Sequence, residues 1–367
     1  MRADLDRRPL LVFWETTRAC LLACRHCRAS AMPEPLPGEL STEQAERFVD
    51  SLAGFGPTPP VLVLTGGDVM MRHDLVPLVR RARGLGVPVA ISPSVTPLLT
   101  RARLRELREA GVKAASISLD GATAATHEGL RRVDGHFEAT LDAVRMLRTE
   151  GFVVQLNTVV MRENVDELAD VAAIVHGLGA AIWEVFFLVR VGRGTVMHDL
   201  EPEPAENEQV CHFLYDASRH GFVVRTVEAP FFRRVVAERR AGGQPQDGPL
   251  YRSLSGRLRA LLGEGEGASK AQTKGTRDGK GIVFVAHNGD VHPAGFLPVR
   301  LGNVVHDDLA TIYRTHPLLS AIRAGRFTGR CGPCEFADLC GGSRARAFAT
   351  SGDPLGEDPA CPFASIA

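Results

Sequence analysis

Residues 10–27 read LLVFWETTRACLLACRHC, and this stretch decides the fold. Its first part, 10–14, is a short run of aliphatic and aromatic residues, which is typical of a buried β-strand. Three cysteines follow in the spacing C-x3-C-x2-C, at Cys20, Cys24 and Cys27. A cysteine-rich loop directly after a strand indicates metal or redox chemistry at the carboxyl end of that strand.

Strand-like and helix-like segments alternate from this point to about residue 229. Such alternation favours a parallel sheet, and six or more strand–helix units favour a full or partial barrel over a doubly wound sheet. We therefore expect an α/β fold, a partial (βα)6 TIM-like barrel with its chemistry on the loops after the strands. The predicted strands are 10–14, 61–65, 87–92, 114–119, 152–160, 181–189 and 222–227, and the predicted helices are 41–55, 73–85, 99–110, 137–150, 165–178 and 205–220.

The chain is predicted to divide where this alternation stops. We expect the partial barrel over 1–230, a linker or flap rich in Gly, Gln, Lys and Ser over 231–281, and a small cysteine-rich domain over 282–367. The last domain begins with IVFVAHNGDVHPA, a pattern that predicts a hairpin turning at Asn288-Gly289.

The composition is that of a globular protein, with 44% apolar and 23% charged residues. Its 43 basic residues balance 43 acidic ones, so no overall field draws the chain to nucleic acid or to an anionic membrane. No signal peptide and no apolar run long enough to span a bilayer is visible, so we expect a cytoplasmic location. Eight cysteines then favour metal or redox chemistry over disulfides. Cys211 stands alone in an amphipathic stretch and is predicted to be a small core residue, with a redox role as the alternative.

The first cysteine group is suited to a cluster with one open iron. Three thiolates hold three irons of a cubane and leave the fourth iron without a protein ligand, free to bind a small molecule. Structural zinc is the alternative, but it prefers four protein ligands, and the further candidate within the loop is His26.

The spacing of these cysteines after the first strand resembles the radical S-adenosylmethionine (SAM) superfamily. In that family the open iron chelates SAM, and one electron from the cluster cleaves SAM to methionine and a 5′-deoxyadenosyl radical, which abstracts a hydrogen atom from a substrate. The resemblance implies a 4Fe-4S cluster on Cys20, Cys24 and Cys27 and SAM as the second cofactor. It places His26 near the adenine, where the family usually has an aromatic residue.

The end of the second predicted strand resembles the family's Gly-Gly-Glu motif, which holds the amino group of SAM. Here Thr65 is followed by Gly66, Gly67 and Asp68, so a shorter acidic side chain replaces glutamate. Considered alone, the same residues also predict a Gly-Gly turn with an aspartate that caps a helix.

The fourth predicted strand ends in a Ser-x-Asp-Gly sequence that is common in the family. The resemblance implies that Ser118, Asp120 and Arg131 contact the ribose and carboxylate of SAM. Asn157 and the strand end that contains Ser94 are weaker candidates, for which a structural role is an equal alternative.

The second cysteine group consists of Cys331, Cys334 and Cys340 in the spacing C-x2-C-x5-C, followed by Cys361. Four thiolates complete one cluster with no open iron, and a zinc ribbon is the alternative. The group resembles the auxiliary-cluster domain called SPASM when it binds two clusters and twitch when it binds one. Arg344 stands where the two-cluster form has a cysteine, so the resemblance implies one auxiliary 4Fe-4S cluster.

The C-terminal segment that carries the second cysteine group also indicates a class of substrate. Its segments GGSRARA (341–347) and GDP (352–354) resemble radical SAM enzymes of alternative heme and heme d1 synthesis, which implies a tetrapyrrole-like substrate whose side chains are trimmed. Arg344 and Arg346 are then candidates to bind propionates, because the guanidinium fork matches a carboxylate. The alternative is that both pack around the cluster.

Three other functions stay open. Maturation of a ribosomally made peptide and oxidation or epimerisation of a sugar or aminosugar use similar domains, although no peptide-recognition domain is visible. Outside enzymes, a non-catalytic iron-sulfur electron-transfer module is the alternative, but a carrier gains nothing from an open iron. For an enzyme we expect a low-potential electron donor such as flavodoxin or ferredoxin, and neither nucleic acid nor a membrane as a partner.

Overall fold

The computed structural model describes residues 4–273 and 275–363, so the outer ends of the predicted domains, at residues 1 and 367, lie outside it. The strands are β1 (Leu11–Glu15), β2 (Val61–Thr65), β3 (Val89–Ile91), β4 (Ala114–Ser118), β5 (Val153–Val160), β6 (Ile182–Phe187), β7 (Val223–Val227), β8 (Ile282–Val285), β9 (Asp290–His292) and β10 (Gly302–Asn303). The α-helices are α1 (Thr42–Ser51), α2 (Leu75–Gly84), α3 (Arg101–Ala110), α4 (Ala124–Arg131), α5 (His136–Thr149), α6 (Leu168–Gly177), α7 (Pro204–Ala217), α8 (Phe232–Arg240), α9 (Pro249–Leu262), α10 (Leu309–Thr315), α11 (Pro317–Arg323) and α12 (Arg344–Ser351).

Strands and helices alternate from β1 to α7, which confirms the predicted α/β fold class. The sequence STEQ at 41–44 forms a capping box at the start of α1. Ser41 Oγ accepts from the Gln44 backbone N–H at 3.3 Å, and Gln44 Oε1 accepts from the Ser41 backbone N–H at 2.9 Å. Within the described residues, no helix is both long and apolar enough to cross a bilayer.

The described residues form two compact units. The division passes through β4, α5 and β5, which have residues in both units. The predicted boundaries at 230 and 281 group the residues differently and stay a prediction. The first unit contains 4–117, 145–154 and 276–326, and the second contains 118–144, 155–275 and 327–363.

Parallel strands form the centre of the first unit, in the order β8-β1-β2-β3-β4. Leu11 of β1 is in register with Val61 on one side and Ile282 on the other. The hairpin predicted at Asn288-Gly289 is confirmed, since β8 and β9 pair antiparallel across it and Gly289 has a φ of 87° that suits glycine. Because β8 pairs with β1, this hairpin belongs to the first unit.

Three parallel strands, β5-β6-β7, form the sheet of the second unit. Alternate residues of β6 are buried, and Trp183 packs edge-on against Phe213 of α7 with ring centroids 6.5 Å apart. The indole N–H of Trp183 donates to Thr158 Oγ1 at 2.9 Å, so its polar atom has a partner. Cys211 of α7 is fully buried, which confirms it as a core residue.

Part of the stretch 231–281, predicted as a linker, is helical. It contains α8 and α9, whose buried residues include Val235 and Val236 in the first helix and Leu254 and Leu258 in the second. The apolar residues of α8 are flanked by arginines on both sides, which hid their helical period in the sequence.

Glu15, the last residue of β1, is buried in a charged network of the first unit. Its carboxylate accepts from Arg28 Nη2 at 2.7 Å and lies 2.8 Å from His287 Nδ1. Arg28 also donates to Gly295 O at 3.2 Å and lies over the Phe284 ring, 4.7 Å from its centroid. Burial alone would raise the pKa of Glu15, but the charge of Arg28 and the hydrogen bonds outweigh burial and lower it to about 2.

Replacing Glu15 by glutamine should therefore lower the free energy of unfolding by about 3 kcal/mol at pH 7, because Arg28 loses its buried counter-charge. The pKa of Glu15 is lower in the folded state than its ordinary value of 4.5. Its contribution is therefore complete above pH 4.5 and is lost as the pH falls toward about 2. Urea unfolding of both proteins at several pH values should show the difference shrinking in acid.

A matched control is Glu46→Gln on α1, since Glu46 pairs with Arg81 at the surface, where both side chains are well exposed. This change should cost less than about 1 kcal/mol. An equal loss in the Glu15 and Glu46 variants would contradict the role of the buried pair.

Candidate functional site

Backbone hydrogen bonds close the loop that carries the first three cysteines. Cys20 N donates to Met32 O at 2.7 Å, and Met32 N donates to Arg18 O at 2.9 Å. Cys20 and Cys24 are buried in the resulting lobe. Cys27 and the adjacent His26 are partly buried in the same loop.

The glycines at the end of β2 pack directly against this cysteine loop. Gly67 N donates to Thr17 O at 2.8 Å, and Asp68 N donates to Ala19 O at 2.7 Å. A Cβ atom on Gly66 would lie 2.6 Å from Thr17 O, and one on Gly67 would lie 2.3 Å from Ala19 O. The close approach that only glycine permits is thus made, in this structure, to the loop's own backbone.

Asp68 is fully buried, and its carboxylate accepts three hydrogen bonds within the first unit. The donors are Met70 N at 3.1 Å, Ser94 N at 3.3 Å and Thr96 Oγ1 at 2.8 Å. Burial raises the pKa of Asp68, although these hydrogen bonds oppose the rise. The side chain caps the 3-10 turn Val69–Met71, the geometry of the helix-capping alternative, and a contact with the SAM amino group stays a prediction.

Ser94 connects Asp68 to the first cysteine. Its hydroxyl lies 3.5 Å from Cys20 Sγ and donates to Gly67 O at 3.0 Å. Leu22 N also donates to Cys20 Sγ, at 3.4 Å, and burial raises the pKa of this thiol. The N–H of Leu22 is thus a donor that would stabilise a metal-bound thiolate at Cys20.

In the second unit, Asp120 is fully buried, and its carboxylate forms an ion pair with Arg131. The same carboxylate accepts from Val159 N at 2.9 Å, while Asp120 N donates to His127 Nδ1 at 3.1 Å. Ser118 ends β4 and is half-buried. The structure thus brings Asp120 and Arg131 together, and the SAM contacts implied for them and for Ser118 stay predictions.

A buried pair of histidines supports Asp120 and was not singled out from the sequence. Because His127 Nδ1 accepts a backbone N–H, its proton lies on Nε2, which donates to His136 Nδ1 at 2.8 Å. Thr140 Oγ1 lies 3.2 Å from the same His136 atom. No sequence motif links these residues, because the contact depends on how α4 and α5 pack.

The C-terminal cysteines also lie in the second unit. Cys340 Sγ accepts from Gly342 N at 3.5 Å, and a Cβ atom on Gly342 would lie 3.0 Å from Cys331 Sγ. Burial, with the nearby Cys361 thiol, raises the pKa of Cys340 to about 12. Cys334 lies in the same loop, three residues after Cys331. Among the described residues, no group of three His, Cys, Asp or Glu side chains is arranged for a single metal ion.

Aromatic contacts join the two cysteine-bearing segments of this tail. The rings of Phe336 and Phe363 meet edge-on with centroids 5.2 Å apart, and Arg234 of α8 lies 5.1 Å from the Phe363 centroid. Arg234 is fixed by two hydrogen bonds to the Glu208 carboxylate, at 2.6 and 2.7 Å. The loop that contains Cys334 is thereby held beside the segment that follows Cys361.

Arg344 and Arg346 of α12 are buried, at 0% and 2% exposure. Arg346 pairs with Asp358 at 3.2 Å and donates to Glu228 O at 2.9 Å. Arg344 Nη2 donates to Cys331 Sγ at 3.7 Å. Arg344 therefore contacts a cysteine sulfur, whereas Arg346 contacts a carboxylate and a backbone carbonyl. This burial favours the structural alternative for both arginines, and propionate binding stays an untested prediction.

Comparison with known proteins identifies the family. A model of the Radical SAM superfamily matches residues 14–175. The AdoMet-dependent heme synthase of Oleidesulfovibrio alaskensis is 36% identical over 358 residues, covering 96% of this chain and 87% of that protein. The chain belongs to the radical SAM superfamily. It is thus an enzyme of a family that uses a 4Fe-4S cluster and SAM.

Two further proteins show how far this radical SAM chain resembles others. The pre-heme d1 synthase of Dinoroseobacter shibae is 28% identical over 363 residues, covering 96% of this chain and 85% of that protein. The crystal structure of Streptococcus suis SuiB bound to precursor peptide SuiA has a TM-score of 0.68 at 14% identity, covering 97% of this chain and 76% of that chain. The second likeness shows the fold alone.

The close packing of Gly67 predicts that adding one methyl group at this position destabilises the fold of this radical SAM chain. Gly67→Ala places its Cβ against the backbone of Ala19, which cannot move away as a flexible side chain could. We expect a loss of about 2 kcal/mol in the free energy of unfolding and weaker retention of iron. Thermal unfolding of the metal-free protein and iron analysis after anaerobic reconstitution measure the two effects.

Gly84→Ala is the control, because that glycine ends α2 and nothing lies within 4 Å of an added Cβ atom. It should be neutral or slightly stabilising. The same melting temperature in both variants would contradict the close packing of Gly67 on the cysteine loop.

Proposed function

We propose that this chain uses a 5′-deoxyadenosyl radical to abstract a hydrogen atom from a side chain of a tetrapyrrole. The observation that carries the substrate class is the 36% identity to a heme synthase over 96% of the chain. The second relative, a pre-heme d1 synthase, supports the same class. The peptide-bound SuiB structure supports the fold alone. A peptide substrate is the alternative, and the substrate experiment below distinguishes it from a tetrapyrrole.

Cys20, Cys24 and Cys27 are the proposed ligands of the SAM-cleaving 4Fe-4S cluster. When bound, this cluster supplies the electron that cleaves SAM to methionine and the 5′-deoxyadenosyl radical. Three thiols in one closed loop fit it, because they leave one iron open. The Leu22 N–H that donates to Cys20 Sγ also fits a thiolate ligand, since such a donor stabilises its negative charge.

The residues proposed to contact SAM form two sets, and each set is held by contacts within its own unit. In the first unit, Asp68 orients Ser94 through its backbone N–H, and Ser94 in turn contacts Cys20. In the second unit, Asp120 fixes the guanidinium of Arg131 in an ion pair. The proposed SAM-contacting residues are His26, Gly66, Gly67 and Asp68, and Ser118, Asp120 and Arg131.

We also propose one auxiliary 4Fe-4S cluster on Cys331, Cys334, Cys340 and Cys361. The N–H groups of Gly342 and Arg344 that donate to two of these sulfurs fit thiolate ligands. Such a cluster, when bound, exchanges electrons without an open iron. A low-potential donor such as flavodoxin or ferredoxin, in the cytoplasm, is the proposed source of electrons.

Metal analysis tests both cysteine groups. Anaerobically reconstituted protein should hold about eight irons as two 4Fe-4S clusters. Cys24→Ala should abolish the formation of 5′-deoxyadenosine from SAM and dithionite, whereas Cys334→Ala should lose about four irons yet keep the first cluster. Cys211→Ala is the control, since its thiol belongs to neither group. If the parent protein held only four irons, or zinc in place of half of the iron, the proposed auxiliary cluster would be contradicted.

The substrate is tested by its effect on SAM cleavage. Iron coproporphyrin III, a tetrapyrrole with propionate side chains, should bind with a shift in its absorbance and accelerate formation of 5′-deoxyadenosine at least tenfold. Mass spectrometry should then find a tetrapyrrole of altered side-chain mass. If the tetrapyrrole had no effect on SAM cleavage and a peptide stimulated it, the proposed substrate class would be contradicted and peptide maturation favoured.

A further inference from the structure

We propose that Arg344 is a positioning residue that sets the reduction potential of the auxiliary cluster through a hydrogen bond to the Cys331 sulfur. The inference rests on the proposed auxiliary cluster and adds a residue that controls its redox chemistry. In this proposal Arg344 acts through the Cys331 sulfur and is not itself a ligand of the cluster.

The guanidinium of Arg344 is fully buried and held by neutral groups of the second unit. Nη1 donates to Gly356 O at 2.6 Å and Pro354 O at 3.3 Å, and Nε donates to Gly342 O at 3.2 Å. The group also lies over the Phe327 ring, 4.4 Å from its centroid. These contacts leave Nη2 directed at Cys331 Sγ, 3.7 Å away.

A buried guanidinium is costly unless a negative group neutralises it. In the part of the chain that the structure describes, the polar partners of the Arg344 side chain are three carbonyl oxygens and one sulfur, and no carboxylate pairs with it. The remaining source of negative charge is the sulfur. Four thiolates around a 4Fe-4S core carry a net negative charge, so a bound cluster supplies the missing counter-charge.

The neighbouring Arg346 shows that this arrangement is specific to Arg344. Both arginines lie on α12, two residues apart, and both are buried. Arg346 is neutralised by Asp358 at 3.2 Å. Burial alone would lower the pKa of Arg346, but the charges of Asp358 and Glu228 outweigh burial and raise it. One buried arginine therefore pairs with a carboxylate and the other with a cysteine sulfur.

Gly342 allows the contact. A Cβ atom there would lie 2.5 Å from Arg344 Nη2 and 3.0 Å from Cys331 Sγ, so a larger residue would occupy the space between the two groups. Gly342 also has a φ of 63°, in the left-handed region that glycine adopts without strain. The second glycine of the GGSRARA segment thus allows the contact between arginine and sulfur.

A permanent positive charge and an N–H donor at a ligand sulfur both stabilise the reduced cluster, which carries one more negative charge. Removing them should lower the potential. For one electron, a tenfold change in the ratio of reduced to oxidised cluster corresponds to 59 mV. We expect Arg344→Gln to shift this ratio at least tenfold toward the oxidised form and Arg344→Lys to shift it less.

The test is a redox titration followed by electron paramagnetic resonance in the full chain. Cys20→Ala, Cys24→Ala and Cys27→Ala together remove the first cluster, so the remaining signal belongs to the auxiliary cluster. Arg344→Gln, Arg344→Lys and Arg330→Gln are compared in this background. Arg330 is the matched control, because it is near the same cysteines but half-exposed and paired with Glu357 at 3.1 Å.

The outcomes separate the inference from the proposed function. A lower potential in Arg344→Gln, a smaller decrease in Arg344→Lys and little change in Arg330→Gln would support it. The role of Arg344 would be overturned if Arg344→Gln held about four irons at an unchanged potential, or if Arg330→Gln shifted the potential equally. Either result would leave the proposed auxiliary cluster supported. If Arg344→Gln fails to hold iron, an unchanged potential in Arg344→Lys overturns the role of Arg344. A background protein without iron would overturn the auxiliary cluster itself.

Discussion

Two backbone hydrogen bonds between the segments that follow β1 and β2 fix the cysteine loop, and the proposed chemistry depends on them. They run from Gly67 N to Thr17 O and from Asp68 N to Ala19 O, at 2.8 and 2.7 Å. A free loop of this length would lose much conformational entropy on gathering three thiols around one cluster. Because the loop is fixed at its start and closed by Met32, the fold itself restricts the conformations open to the three cysteines.

The strands and most helices could be predicted because their residues are buried in regular patterns. β2 was predicted at 61–65 and lies there, since VLVLT is a continuous apolar run bounded by proline and glycine. α8 could not be predicted in this way, because its apolar residues are interrupted by arginines. One of these, Arg234, is buried against Glu208 and so behaves as part of the interior. A period based on hydrophobicity alone cannot detect a helix that buries its charges.

At the candidate site, residue types could be predicted but their partners could not. Asp68 was found by its motif, yet its carboxylate accepts from Met70, Ser94 and Thr96, and only Met70 is near in sequence. The serine was a weak candidate because a serine at a strand end has many uses. Its position beside Cys20 depends on the register of β2 and β3, which no local pattern specifies.

Buried side-chain contacts hold the cysteine-bearing tail together with backbone hydrogen bonds in its loops, such as Thr328 N to Leu355 O at 2.8 Å. A buried ion pair such as Arg346 with Asp358 gains little net stability, since desolvation offsets most of its attraction. Its value lies in specificity, because any other arrangement would leave a charge buried and unpaired. The same constraint applies to Arg344, whose surroundings supply carbonyl dipoles and a sulfur in place of a carboxylate. A fold that holds a positive charge against a thiol is preorganised for an anion, and a thiolate-bound cluster is the anion that these four cysteines can form.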